Sequence, residues 1–208
     1  EIENAAKLGM VGIFIRPNPY NNKMIHHPDY EPFWSAVEAL DMAVGFHEGG
    51  NSGMAQVGMD RFETRGARHI VTHTMEMMMA CLGMIWGGVI DKHPKLRVAF
   101  LESGGGWIVP WLERMDRHFD DKGFNDSGLS MRPSDYFDRN CSIGASNTRR
   151  RELARRYEIG VGNLMWGNDF PHPEGTWPHT REFLHNAFCD IPLDETAQML
   201  GLNAAEMY

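Results

Sequence analysis

Short apolar segments that alternate with longer amphipathic segments constrain the fold of this chain more than any other feature of its sequence. Five short segments rich in β-branched and aromatic residues predict strands, and these are Met10–Ile15, Ala43–Phe46, Arg97–Leu101, a weaker Tyr136–Ser142, and Leu164–Trp166. Apolar residues at helical spacing predict helices over Glu1–Leu8, Pro32–Asp41, Thr74–Ile90 with Thr74 as N-cap, Ile108–Phe119, Arg149–Tyr157, Thr180–Phe188 and Asp194–Met207, the last broken near Gly201. Strands separated by helices pair in parallel.

Two architectures fit this alternation: an open doubly wound sheet and part of a barrel. The first strand is followed by Arg16-Pro17-Asn18-Pro19, without the glycine fingerprint of a nucleotide-binding fold. A complete (β/α)₈ barrel needs about 250 residues, and five strand units already occupy these 208 residues. We therefore predict a single domain over residues 1–208. Because the chain opens on Glu1 in the middle of a helical pattern, we also expect that an upstream part of the protein is missing.

Charge and cysteine content exclude some classes of partner. The formal net charge of −8 disfavours nucleic acid and anionic membranes. The longest apolar run, around Met75–Ile90, contains Glu76 and falls short of the about 20 residues of a membrane span. An odd number of cysteines without a close pair is typical of reduced thiols, and no signal peptide is recognisable. We expect a cytoplasmic protein.

The predicted strands end in residues that carry chemistry. Arg16 ends the first strand, His47 and Glu102 follow the second and third, and Asp169 follows the fifth. In parallel α/β folds the carboxyl ends of the strands share one rim, so we expect these side chains to converge. Imidazole and carboxylate ligands suit a zinc-like ion with an open coordination position. Arg16 would clamp a substrate carboxylate, and a free carboxylate would move the proton.

Each of these residues also has a purely structural interpretation. A histidine after a strand often bonds only to backbone, so His47 need not be a ligand. Glu102 would serve equally well as a cap for the helix that follows, and Asp169 as an ordinary turn residue. What favours the functional interpretation is that all three lie at predicted strand ends.

Further residues are candidates for the same rim. His73 at the entry of the long helix, His172 close to Asp169, and Trp177 beyond it are expected to contact substrate. His69 and His73 have the i, i+4 spacing of a metal-binding pair on a helix. We discount such a motif because the three residues between them, 70–72, are β-branched and poor helix formers.

Four segments resemble successive blocks of the amidohydrolase-2 family, which includes aminocarboxymuconate semialdehyde decarboxylase and resorcylate decarboxylases. They are Gly9–Asn18, Val44–Gly50, Leu96–Trp111 and Trp166–Trp177, and they stand in family order. The resemblance implies an incomplete (β/α)₈ TIM-type barrel with about five of eight units. It also implies that His47 binds metal and that Asp169 binds metal and handles a proton.

The sequence departs from the family pattern at two places. The family's remaining ligands are a His-x-His pair after the first strand, and no His-x-His occurs in this chain. Decarboxylases of the family often carry a catalytic histidine beside the glycine-rich turn, where Glu102-Ser103 stands here. The resemblance therefore supports the superfamily better than it supports decarboxylation.

The sequence thus predicts a metal-dependent hydrolase or decarboxylase for a small carboxylate- or carbonyl-bearing organic substrate. Its divalent metal, zinc by expectation, would be held by His47 and Asp169, with Asp169 and Glu102 as catalytic groups. Arg16, His73, His172 and Trp177 would bind substrate. We expect a homo-oligomer, without nucleic acid or membrane as a partner. The alternative is a catalytically inactive partial barrel that acts as a binding or assembly module, because a partial barrel exposes strand edges and apolar surface.

Overall fold

A computed structural model describes residues 1–49 and 53–208 and contains one sheet of parallel strands. The strands pair in chain order and are β1 (Gly12–Ile15), β2 (Ala43–Phe46), β3 (Val98–Leu101), β4 (Cys141–Ser146) and β5 (Leu164–Gly167). Their registers bring successive strand ends level with one another, as in the pairing of Ile15 with Phe46 and of Phe46 with Phe100. The sequence block Val44–Gly50 ends at Gly50, which lies outside the described residues.

Helices follow each strand, as expected for parallel pairing. They are α1 (Ile2–Lys7), α2 (Glu31–Ala39), α3 (Arg65–Ile85), α4 (Val89–Lys92), α5 (Ile108–Asp120), α6 (Pro133–Asn140), α7 (Arg150–Leu153), α8 (Arg156–Ile159), α9 (Thr180–Phe188), α10 (Leu193–Ala197) and α11 (Asn203–Met207). Among the helices of the described ranges, none has the length and apolar character needed to cross a bilayer.

One face of the sheet carries the large apolar residues and packs against the helices. Val44, Phe46, Val98, Phe100 and Ile143 are all fully buried there. The rings of Phe46 and Phe100 stack with their centroids 5.8 Å apart. Burying a side chain of this size stabilises the fold by roughly 1.5–3 kcal/mol, so this face holds the main core.

The opposite face carries small residues and receives the end of the chain. Ala43 and Ala99 form a separate small cluster with Met207. A Cβ atom at Gly12 would lie 3.0 Å from the ring of Tyr208. Side chains at alternate strand positions point to this face, and the small residues among them let the last helix approach it, while Leu101 and Met165 pack in the same cluster.

The structure corrects two of the predicted elements. The segment Tyr136–Asn140 belongs to helix α6 rather than to the fourth strand, which begins at Cys141. Pro133 starts this helix, as suits proline in a first turn. Tyr136 and Phe137 are buried from the helix, so their apolar character reflects core packing and not a strand.

The second correction concerns the long central helix. Helix α3 begins at Arg65, and Thr64 is its N-cap, with its side chain accepting a hydrogen bond from the Ala67 amide at 3.3 Å. The prediction that Thr74 caps this helix is wrong, because Thr74 lies in its middle.

Two further predicted helices differ in detail. The segment 149–157 forms two short helices. The predicted interruption near Gly201 is confirmed as a π-helical turn over Gln198–Leu202.

Candidate active site

Three of the predicted residues meet at the carboxyl ends of the strands. His47, Glu102 and Asp169 all line one cavity of about 640 Å³, which lies beside helix α3. The same three residues also line a smaller cavity of about 290 Å³ toward the small-residue face of the sheet, where Tyr208 closes it. They therefore form the wall between the two spaces.

Glu102 stands between two imidazoles. Its backbone has φ of 55°, a left-handed conformation uncommon for residues with a Cβ. One carboxylate oxygen pairs with His47 Nε2, and the other lies 3.8 Å from His73 Nε2. The contacts of this side chain are thus to the two histidines, which favours the functional interpretation of Glu102 over a helix cap.

These contacts shift the acidity of all three groups. The hydrogen bond to Glu102 raises the pKa of His47, although burial opposes it. Burial acts to raise the pKa of Glu102, but the hydrogen bond and charge of His47 lower it. Burial lowers the pKa of His73, and the neighbouring His69 adds to this effect. Glu102 is consequently the anion of the group.

Asp169 presents a carboxylate oxygen that the protein leaves unsatisfied. Its Oδ2 is buried and has no hydrogen-bond partner among the described residues, while His172 Nδ1 lies 3.5 Å away. Burial and the nearby Glu102 raise the pKa of Asp169. A buried oxygen without a donor costs free energy, and a bound cation would remove that cost. The donor set therefore fits a metal at this end of the sheet.

His172 lies close to Asp169 at the rim, as the sequence predicts. Its half-exposed side chain lines the larger cavity. Besides Asp169 it contacts Glu174, with Nδ1 and Oε1 3.2 Å apart. The predicted contact with substrate stays a prediction, and the position of His172 is compatible with it.

Arg16 is engaged elsewhere. Its Nη2 pairs with Glu48 Oε1 at 2.7 Å and its Nε donates to Asn18 Oδ1 at 3.0 Å. Glu48 is fully buried, so release of Arg16 to a substrate would leave a buried carboxylate without its cation. The carboxylate clamp stays a prediction that this pairing does not support. The guanidinium groups that line the larger cavity belong to Arg65 and Arg68.

Trp177 lies outside the larger cavity. Its side chain is 64% exposed and packs edge-to-face on Phe170, with ring centroids 5.4 Å apart. It lines a separate groove together with Glu174 and His179. Its predicted contact with substrate also stays a prediction.

Sequence reasoning missed the histidine pair on helix α3. His69 and His73 both lie within Arg65–Ile85, so the reason given for discounting the pair, that the segment is not helical, is wrong. The penalties of β-branched residues in a helix are below about 0.7 kcal/mol each, and the burial of the apolar side chains of Met77, Met84 and Ile85 on the same helix outweighs them. The i, i+4 spacing was the signal that would have found the pair.

A parallel sheet that gathers imidazoles and carboxylates around one cavity at its strand ends defines a metal-site protein of the α/β-barrel class. Within that class, the chain belongs to the amidohydrolase family, whose model (Amidohydro_2) matches residues 1–208. The resemblance found in the sequence is thereby confirmed. The sheet is an incomplete barrel with five parallel strands, as predicted.

The chain is similar to several individual proteins. It is 33% identical over 101 residues to 2-amino-3-carboxymuconate-6-semialdehyde decarboxylase of Dictyostelium discoideum, covering 49% of this chain and 26% of that protein. It is similar in structure to 5-carboxyvanillate decarboxylase of Sphingomonas paucimobilis, with a TM-score of 0.82, 28% identity, and coverage of 100% of this chain and 61% of that one. The chain thus spans less than two thirds of either relative.

A third neighbour is similar in fold. Dihydroxybenzoic acid decarboxylase of Polaromonas sp. JS666 shares the fold at 21% identity and a TM-score of 0.76, covering 99% of this chain and 63% of that one. That structure holds manganese and an inhibitor, 2-nitroresorcinol.

Proposed function

We propose that this protein is a metal-dependent decarboxylase of a small, anionic, unsaturated or aromatic carboxylic acid. The observation that carries the proposal is the convergence of His47, Glu102 and Asp169 on one cavity at the strand ends. The two relatives of 28% or greater identity described above are both decarboxylases, which favours carbon dioxide release over hydrolysis.

The metal would be held by His47 and Asp169 together with ligands from outside the described residues or from solvent. When bound, a divalent cation supplies a Lewis acid that polarises a substrate oxygen or acidifies a bound water. One imidazole and a carboxylate suit both zinc and manganese. We expected zinc, and the manganese of the Polaromonas enzyme makes that ion an equal candidate here.

The chain's own carboxylates would manage the proton. In decarboxylation the bond from carbon to carboxylate breaks, its electron pair stays on the carbon, and a proton replaces the released carbon dioxide. Asp169, which lines the cavity at the strand ends, would deliver that proton. With a metal held at His47 Nε2, Glu102 would give up its contact with that atom and be free to accept a proton from the substrate's acidic group.

The walls of the larger cavity suit an anionic substrate. Arg65, Arg68 and His172 line it together with the carboxylates of Glu63, Glu102 and Asp169. Guanidinium groups bind carboxylates through paired hydrogen bonds. These side chains would replace Arg16 in orienting the substrate, because Arg16 is already paired with Glu48.

Hydrolysis is the second candidate, favoured by one observation. Glu102 occupies the place after the third strand and contacts His47 directly, an arrangement that suits removal of a proton from water. A panel of aromatic and unsaturated acids assayed for carbon dioxide, beside esters, lactones and amides assayed for hydrolysis, separates the two reactions. We expect carbon dioxide, lost on Asp169→Asn; turnover confined to the esters, lactones or amides would contradict the proposal.

The same panel of substrates also tests the alternative that the protein is a catalytically inactive binding module. The exposed side chains of Met10, Val11 and Phe14 lie at the β1 edge, which is available for pairing with another chain. We propose a homo-oligomer on this ground. A stable, metal-free oligomer without turnover on any substrate of the panel would favour the module over the enzyme.

A further inference from the structure

We propose that the imidazoles of His69 and His73 and the carboxylate of Glu102 bind a second divalent cation of the zinc type, beside the His47–Asp169 position. The two histidines stand at i and i+4 of helix α3, so their side chains leave the helix on one face. Their rings stack with centroids 3.9 Å apart and planes 25° from parallel. Two ligands are thus already side by side on a rigid element.

The orientation of His73 is that of a metal ligand. Its Nδ1 lies 3.2 Å from the His69 carbonyl oxygen, so the ring nitrogen donates to this acceptor and carries the proton. The Nε2 lone pair is thereby left free, and it faces Glu102 Oε1 at 3.8 Å. Histidines that bind metal usually donate their other ring nitrogen to a carbonyl or carboxylate in this way.

The three groups are close enough to grip one ion. One ligand atom from each of His69, His73 and Glu102 lies within 4.8 Å of the other two. Around a tetrahedral zinc at about 2.0–2.3 Å, neighbouring ligands stand roughly 3–4 Å apart, so small side-chain rotations close the site. Both His73 and Glu102 are nearly buried, with side-chain exposures of 10% and 14%.

Glu102 would be shared between the two positions. Its second oxygen contacts His47, so the carboxylate spans the gap between the helix pair and the strand-end group. Bridging carboxylates of this kind hold paired ions in two-metal sites. The other acid-rich group, Asp169 with His172 and Glu174, has two exposed members on a loop and carries no such assignment.

The inference does not depend on the proposed reaction, and its test isolates the helix pair. In the double variant His47→Ala/Asp169→Ala, zinc chloride titrated by calorimetry should still bind at one equivalent per chain. Adding His69→Ala should weaken that binding at least tenfold, and His73→Gln should do the same. His118→Ala is the matched control, because His118 Nδ1 also contacts the carbonyl four residues earlier, at Arg114, 2.8 Å away.

Two outcomes would overturn the second site. Either the double variant binds no zinc while circular dichroism shows it folded, or the added His69→Ala and His73→Gln changes leave the zinc affinity as it was. The proposed function fails differently: the double variant His47→Ala/Asp169→Ala would turn over substrate as fast as the unmodified chain and would bind as many metal ions per chain.

Discussion

The helix-covered face of the sheet and the rim at its strand ends are built by opposite rules. On the covered face, Phe46 and Phe100 are fully buried and stack on each other. At the rim, Asp169 Oδ2 is buried without a donor among the described residues, and Glu102 holds a left-handed backbone. Burial of apolar side chains on the covered face stabilises the folded protein. The rim instead keeps a carboxylate oxygen without a hydrogen bond and a strained backbone at Glu102. Such departures mark functional positions.

The largest expected effect is on activity, at the rim. Asp169→Asn keeps the shape of the side chain but removes the charge that holds metal and the proton that it would deliver. We expect kcat to fall by about 10²–10⁴-fold. The midpoint of urea unfolding should hold or rise, because a buried charge without a donor is removed. Asp60→Asn, at an exposed carboxylate, is the control; a large loss of stability in Asp169→Asn would break the contrast between rim and core.

The opposite pattern is expected on the covered face. Phe100→Ala leaves a cavity beneath helix α5, where Phe100 also contacts Trp107 with centroids 6.1 Å apart. The free energy of unfolding should fall by about 3–5 kcal/mol, measured by urea denaturation. Phe124→Ala removes a 65% exposed ring and should cost far less. Equal losses in the two variants would contradict the location of the core.

The small-residue face gives an intermediate effect. A Cβ at Gly144 would overlap the side chain of Leu101, whereas one at Gly162 meets nothing within 4 Å. Gly144→Ala should therefore destabilise the protein by about 1–3 kcal/mol through overpacking, and Gly162→Ala should leave the melting temperature nearly unchanged. A neutral Gly144→Ala would mean that the Leu101 side chain turns aside and leaves room for the added methyl group.

The smallest effect distinguishes the two proposed starts of the long helix. Thr64→Ala removes the cap on the Ala67 amide and should cost about 1 kcal/mol. Thr74→Ala, at a position inside the helix, should cost less, since alanine favours helix. Thermal unfolding of both variants measures the difference, and the reverse order would restore Thr74 as the N-cap.

The sequence was sufficient for much of the fold and for the centre of the site. Strands β2 and β3 are marked by short apolar runs, and His47 and Glu102 follow them directly. The predicted strand Tyr136–Ser142 was wrong in its first part because buried aromatic residues serve helices and strands alike.

The partners of the polar residues were beyond prediction from the sequence. The pairing of Arg16 with Glu48 joins positions 32 residues apart, and only the fold shows that Arg16 is engaged. The first turns of helix α3, which carry His69 and His73, were discounted on intrinsic propensity, a weak guide where tertiary contacts decide.

The most direct test of the site is the location of a bound ion. Crystals of the protein soaked in zinc or manganese, measured at the absorption edge of that metal, give its position from anomalous scattering. The account predicts a peak within about 2.0–2.3 Å of His47 Nε2 and of an Asp169 carboxylate oxygen. The absence of any peak at these two residues, in crystals with the cavity open to solvent, would contradict it.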